Sequence, residues 1–138
     1  QMAKDLFHKH VREALEKDGW IITHDPYKIR LEGVAFDIDY GAEKLIAASK
    51  DNQKIVVEIK SFIQSSLTYE FHRALGTFNT YEMALEKQEP DRILFLAIPK
   101  RVFDEFFTLS FIQEVLERHH VKLLVFNPNN KSVEQWIR

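Results

Sequence analysis

The segment Lys54-Ile55-Val56-Val57-Glu58-Ile59-Lys60 carries the residues of this 138-residue chain best suited to chemistry. Alternation along a strand sends Ile55, Val57 and Ile59 to one face and Val56, Glu58, Lys60 and Phe62 to the other. Apart from the two charges near its end, the strand is apolar on both sides, which predicts a central, covered position. A carboxylate withdrawn from water is retained only beside a cation, a metal or a water-filled cleft. Of the 21 acidic residues, Glu58 alone is followed two positions later by lysine. One reading of Glu58 and Lys60 is a local ion pair where the strand reaches solvent; the other is a reactive site.

The preceding strand supplies a test. If Asp51-Asn52 forms a two-residue loop, paired positions sum to 103, so Glu58 faces Leu45 and Lys60 faces Glu43. Glu43 then shares a sheet face with Glu58 and Lys60. Asp39 and Asp37 have the same parity, although a bulge at Gly41 would interrupt it. A slip of one residue would send Glu43 to the opposite face. Converging carboxylates repel one another unless a cation neutralises them, and hard oxygen donors favour Mg²⁺ or Mn²⁺. Glu58, with Glu43 or Asp39 and the carbonyl of Ile59, would hold such an ion. Lys60 would orient a water and stabilise charge building up on phosphorus. This combination suits hydrolysis of a phosphodiester, with Glu43, Glu58 and Lys60 as the catalytic candidates.

Other constellations are weaker. His8 and His10 lie two apart and His119 and His120 are adjacent, so neither pair shares a helical face, and no zinc spacing is present. His72 could face core or phosphate. Four scattered glycines exclude a phosphate-cradling loop, and no nucleophile elbow around serine is visible. Lys50, Lys54, Lys60 and Arg73 are too interspersed with acids to form a basic stripe.

The elements that must position these residues follow from periodicity. Leu6, Phe7, His10, Val11, Ala14 and Leu15 predict a helix over about Ala3 to Lys17, ended by Asp18-Gly19. Trp20 to Thr23 reads as a strand and His24-Asp25-Pro26 as a turn. Lys28–Glu32 and Val34–Tyr40 suit strands around Gly33, and Lys44–Ser49 with Lys54–Lys60 form the clearest hairpin. After Gln64-Ser65-Ser66, a helix runs to about Gln88 on a stripe of Leu67, Phe71, Ala74, Leu75, Phe78, Tyr81 and Leu85. Ile93–Ile98 reads as a fully buried strand stopped by Pro99. One or two helices span about Arg101 to His119. Within them Phe103, Phe106, Phe107 and Phe111 form a core cluster whose exposed part would suit a subunit contact. Val121–Phe126 and an edge strand Ser132–Ile137 close the chain. This order predicts an α/β fold with a mixed central sheet flanked by helices.

Composition bounds the rest. With 45% hydrophobic and 29% charged residues and no linker or repeat, residues 1–138 read as one domain. The longest apolar run, Ile93 to Ile98, is too short to span a membrane. The first residues, Gln1-Met2-Ala3-Lys4-Asp5, contain no apolar segment of a secretory signal, and no cysteine is present, so a cytoplasmic location is expected. The net charge of −2 argues against coating nucleic acid by bulk attraction, without excluding a nuclease whose acidic site offsets local basic residues.

Glu58-Ile59-Lys60, after an acid and a hairpin, resembles the PD-(D/E)XK nuclease superfamily. Gly41-Ala42-Glu43-Lys44-Leu45-Ile46-Ala47-Ala48 and Val56-Val57-Glu58-Ile59-Lys60-Ser61-Phe62 look more particularly like the cyanobacterial XisH family, the fdxN element excision controlling factors. Lys4-Asp5-Leu6-Phe7-His8, Asp18-Gly19-Trp20, His24-Asp25-Pro26, Ala74-Leu75-Gly76 and Glu89-Pro90-Asp91-Arg92 extend that resemblance over essentially the whole chain. It implies a restriction-endonuclease-like fold and a role in programmed DNA excision during heterocyst differentiation. It also implies DNA and a small XisI-like protein as partners and, by analogy with nucleases that cut two strands, a homodimer. The chain departs from the superfamily pattern at three places. Ala42-Glu43 stands where proline-aspartate is usual, with Asp39 the second choice for the first acid. His8 falls near the glutamate that many relatives carry on the first helix, and Glu13 is the nearest acid. Thr77 followed by Tyr81 replaces Gln-x-x-x-Tyr, and Tyr81 reads as core. These departures and the near-neutral charge motivate an alternative: a nuclease-fold accessory, without turnover, that binds DNA or protein.

Overall fold

The computed structural model describes residues 3–35, 45–63 and 65–138. Helix α1 (Ala3–Lys17) leads into strand β1 (Ile21–His24), a small hairpin of β2 (Arg30–Leu31) and β3 (Val34–Ala35), and the long hairpin of β4 (Leu45–Lys50) and β5 (Gln53–Ile59). Helix α2 (Leu67–Gln88), strand β6 (Arg92–Pro99), helix α3 (Lys100–Val102), a π-helical stretch (Phe103–Phe107), helix α4 (Ser110–Arg118) and strands β7 (Leu123–Asn127) and β8 (Ser132–Ile137) follow. Six strands form one mixed sheet in the order β1-β4-β5-β6-β7-β8. β5, β6 and β7 run parallel, and the pairs toward both edges are antiparallel. The expected α/β architecture is therefore the observed one. Among the described residues no helix is long and apolar enough to cross a membrane.

The sheet separates two cores. Val11 and Leu15 of α1 pack against Ile46, Ile55, Val57, Ile59, Phe95 and Ala97. Phe71, Ala74, Phe78, Tyr81 and Leu85 of α2 pack on the other face against Leu45, Ala47, Val56, Leu94, Leu96 and Ile98. β5 and β6 are thus covered on both faces, which accounts for their near-continuous apolar sequence. Gly19, at φ +90°, ends α1 as the sequence predicts, with Trp20 N–H returning to Leu15 O at 3.0 Å. The Asp18 carboxylate then accepts from the indole N–H of both Trp20 and Trp136 at 3.2 Å, tying edge strand β8 to the end of α1.

The β4–β5 register is the expected one: Leu45 pairs with Glu58, Ala48 with Ile55 and Lys50 with Gln53. Asp51 and Asn52 both have positive φ, 49° and 67°, which matches the strand twist in a two-residue hairpin turn. Ser66 caps α2 by accepting from Tyr69 N–H at 3.1 Å.

Three expectations need correction. Of the strands expected around Gly33, Lys28–Glu32 shortens to Arg30–Leu31, which pairs with Val34–Ala35, and positions 36–40 of the second lie outside the described residues. The strand expected at Val121–Phe126 begins at Leu123, because Val121 N–H instead closes the α4 terminus on Leu116 O at 2.9 Å. The helical region after Pro99 is broken in three. Its π-helical turn places Phe106 and Phe107 against Phe71 at ring-centroid separations of 5.6 and 5.7 Å, while Phe111 stays 69% exposed outside the core.

The left-handed turn yields a stability test. Replacing Asn52 with valine puts a β-branched side chain at φ 67° and is expected to lower the unfolding free energy by about 1–2 kcal/mol. Asn52→Gly is expected to preserve it or raise it. Urea unfolding at unchanged m-value measures both.

Candidate active site at the carboxyl end of the central strand

Glu58 lies on the α2 face of β5, directly above Val56, with its side chain 2% exposed. Thr77, midway along α2, donates its hydroxyl to Glu58 Oε2 at 2.6 Å. The Lys60 ammonium stands 3.5 Å from the same oxygen and is itself only 12% exposed. Lys60 N–H donates to Ala97 O at 3.0 Å, which carries the parallel β5–β6 pairing past the end of the strand. Glu58 and Lys60 therefore sit on a rigid, doubly covered element, at the carboxyl ends of parallel strands, where α/β folds commonly bind ligands.

Beyond Lys60 the chain turns sharply. Ser61 is buried, and Phe62 adopts φ +54°, a strained conformation for a bulky residue. Its ring is held edge-on against Phe107 at 5.4 Å. Glu58, Ser61 and Glu70 are the buried polar or charged residues among those described. Glu70 lies on α2 two turns before Thr77, and Arg73 Nη1 is 4.0 Å from its Oε1. Helix α2 starts where β5 ends and runs back along it, so Glu70 sits toward the Ser61–Phe62 turn and Thr77 sits over Glu58.

On the edge side, Tyr27 N–H donates to Leu45 O at 2.7 Å, closing the base of the excursion that carries β2 and β3. The Tyr27 hydroxyl donates to Glu89 at 2.9 Å and accepts from Gln88 at 2.9 Å, while Arg92 holds Glu89 at 3.0 Å. The excursion is thus clamped to the end of α2. Burial pushes the Glu89 carboxyl up, but hydrogen bonds from Tyr27 and Arg92 outweigh it and hold the group below its ordinary value.

The structure brings together Glu58, Ile59 and Lys60 of the expected site. Glu43 and Asp39, the two choices for the first acid, lie outside the described residues, as does Asp37. Among the described residues no three His, Cys, Asp or Glu side chains converge as a metal-binding group. The described donors are one carboxylate and the carbonyl of Ile59 at the end of β5. Their hard-oxygen chemistry suits Mg²⁺ or Mn²⁺, provided that a second acid completes the set.

The remaining candidates separate. His8 belongs to α1, on the far side of the sheet from Glu58, and its Nε2 lies 2.9 Å from Asp25 Oδ1; Arg12 reaches Asp25 Oδ2 at 2.6 Å. Tyr81 packs in the α2 core, as expected, and His72 is exposed. The basic residues do not form one stripe. Lys54 pairs with Asp91 at 3.3 Å and Lys50 bonds Asp18 O, both at the hairpin end, about 20 Å along the strand from Lys60. Sequence reasoning missed Thr77 as a partner of Glu58, along with buried Ser61 and Glu70. The available signal was spacing: positions 70 and 77 share a helix face beside Ala74, Phe78 and Tyr81.

The family model described as XisH protein matches residues 2–134. The fold also matches the crystal structure of an XisH family protein from Nostoc punctiforme PCC 73102, 44% identical over 97% of this chain and 100% of that one, with a TM-score of 0.88. A second match is a fdxN element excision controlling factor protein from Anabaena variabilis, 47% identical over 97% of this chain and 99% of that one, also at 0.88. No curated protein matches the chain.

The Asp25 cluster sets an acid limit on stability. Burial pushes the Asp25 carboxyl up, but hydrogen bonds from Arg12 and His8 outweigh it and hold the group below its ordinary 3.8. Stabilisation is therefore full above that value and lost as pH falls through the lower folded value. Asp25→Asn is expected to flatten the decline of unfolding free energy below about pH 4, as read by urea titration across pH.

Proposed function

This chain belongs to the XisH family, and on that premise we propose that it is a Mg²⁺- or Mn²⁺-dependent DNA endonuclease acting in the programmed excision of a DNA element. The observation that carries the reading is the Glu58–Lys60 pair, an almost fully buried carboxylate beside a nearly buried ammonium at the carboxyl end of the central strand. A surface ion pair contributes little and would not need this position. A buried pair is weak as a device for stability and is more readily explained by the chemistry it performs.

Glu58 and the Ile59 carbonyl, with Glu43 or Asp39, would hold the ion. When bound, it supplies Lewis acidity toward a phosphate oxygen and toward water. Lys60 holds its ammonium where a phosphate beside Glu58 would receive a charge-assisted hydrogen bond, offsetting negative charge as the phosphorus centre is attacked. Thr77 and Lys60 both hold Oε2 of Glu58, so the carboxylate is oriented before substrate arrives. The covering apolar residues of α2 and β6 exclude bulk water and strengthen these interactions. DNA is the substrate in this reading. An XisI-like protein is the proposed partner, and a homodimer would place two such sites on opposite strands.

Incubating the pure protein with branched and linear DNA in Mg²⁺ or Mn²⁺ tests the proposal. Metal-dependent cleavage is expected, with Glu58→Ala and Lys60→Ala each lowering kcat by about a hundredfold or more. Cleavage that Lys60→Ala leaves intact would remove the assigned role. No cleavage and no calorimetric metal binding, alongside a stable complex with the XisI-like protein, would establish the non-catalytic accessory instead.

A further inference from the structure

We infer that Thr77 is the positioning residue of this site: its hydroxyl fixes the rotation of the Glu58 carboxylate and so the direction in which Glu58 presents to a divalent cation. The part concerning the cation rests on the reading of Glu58 as a metal ligand; the control of the carboxylate does not.

Threonine is a poor choice inside a helix, because its branched side chain loses rotamer freedom and its hydroxyl competes with the backbone. Helix α2 nevertheless carries two in its interior, and they behave differently. Thr80 is exposed and donates back to Gly76 O at 2.9 Å, the ordinary local bond of such a residue. Thr77 has the equivalent carbonyls within reach, Arg73 O at 3.0 Å and Ala74 O at 3.1 Å, yet lies closer to Glu58 Oε2 at 2.6 Å. One hydroxyl proton cannot serve all three acceptors. The carboxylate takes it, because an O–H bond to a charged oxygen at this length is roughly twice as strong as a neutral one.

The donor is also well held. Ala74 and Phe78 flank Thr77 and are fully buried against the sheet, so α2 cannot roll without breaking the core. The hydroxyl and the Lys60 ammonium meet the same oxygen, one as a neutral donor and the other as a charge. The hydroxyl therefore aims the carboxylate without adding to the charge that a cation would meet.

Three variants of the full chain test this: Thr77→Val, which keeps the shape and removes the donor, Thr77→Ser, which restores it, and Thr80→Val, which removes only a back-bond. If Thr77→Val does not fold, Thr77→Ala takes its place. The first readout is the carboxyl ¹³C resonance of Glu58 in metal-free protein at fixed neutral pH, assigned with Glu58→Gln. The second is Mn²⁺ affinity by calorimetry. Thr77→Val is expected to move the resonance and weaken Mn²⁺ binding about tenfold, the lower end of what loss of a ligand's hydrogen-bond partner costs. Thr77→Ser is expected to restore both, and Thr80→Val to change neither. An unmoved resonance in Thr77→Val, an equal effect from Thr80→Val, or undiminished affinity in a protein whose wild type binds Mn²⁺ would overturn the inference. A wild type that does not bind Mn²⁺, with the resonance still moved by valine and restored by serine, would sink the metal reading of Glu58 and leave Thr77 as the group that aims its carboxylate.

Discussion

A carboxylate in the middle of a covered sheet must be compensated where it stands, and Glu58 imposes that requirement on everything around it. Its neighbours along and across the sheet, Val56, Leu45 and Leu96, offer it no hydrogen-bonding side chain. Thr77 on α2 contributes compensation from above, and Lys60 contributes it from the strand end. Both demands constrain the fold. Thr77 meets Glu58 only if α2 lies over β5 at one rotation, the rotation that also buries Phe71, Ala74 and Phe78. Lys60 stays beside Glu58 only if the strand geometry persists past Ile59, which the Lys60 N–H bond to Ala97 O secures.

The two sheet faces divide the work. The α1 face is sealed by apolar packing that includes Trp20, Phe95 and Phe126, and at its rim the Asp25 carboxylate is held by Arg12 and His8. The α2 face holds Glu58 and Glu70, carboxylates buried within the apolar layer. That asymmetry argues for a structural part for His8. The sharp turn at Phe62 belongs to the same arrangement, since it returns the chain from Lys60 to the helix that carries Thr77.

Much of this was legible in the chain itself, for identifiable reasons. Strand β5 declares itself by apolar residues on both parities, and the Asp51-Asn52 turn fixes a register that pairs Glu58 with Leu45. The bounds of α1 and α2 follow from three-to-four spacing ended by Gly19 and begun by Ser66. What escaped depends on tertiary contact. A threonine in a helix looks like a weak helix former until the facing strand is known, and only then is Thr77 distinguished from Thr80. The π-helical turn after Pro99 is equally silent in the pattern, because Phe103, Phe106 and Phe107 satisfy ordinary helical spacing nearly as well. The strand expected over Lys28–Glu32 shortens to Arg30–Leu31, because alternation in the sequence does not show where a partner strand begins.

The contact between Tyr27 N–H and Leu45 O has a consequence for how such a protein can diversify. Because the excursion is pinched shut at its root and latched to α2 through Gln88 and Glu89, its length is uncoupled from the sheet. Doubling a flexible loop costs only about 0.6 kcal/mol in closure entropy. Homologous chains can therefore lengthen or trim the β2–β3 hairpin hung from this stem while Glu58, Lys60 and Thr77 keep their places.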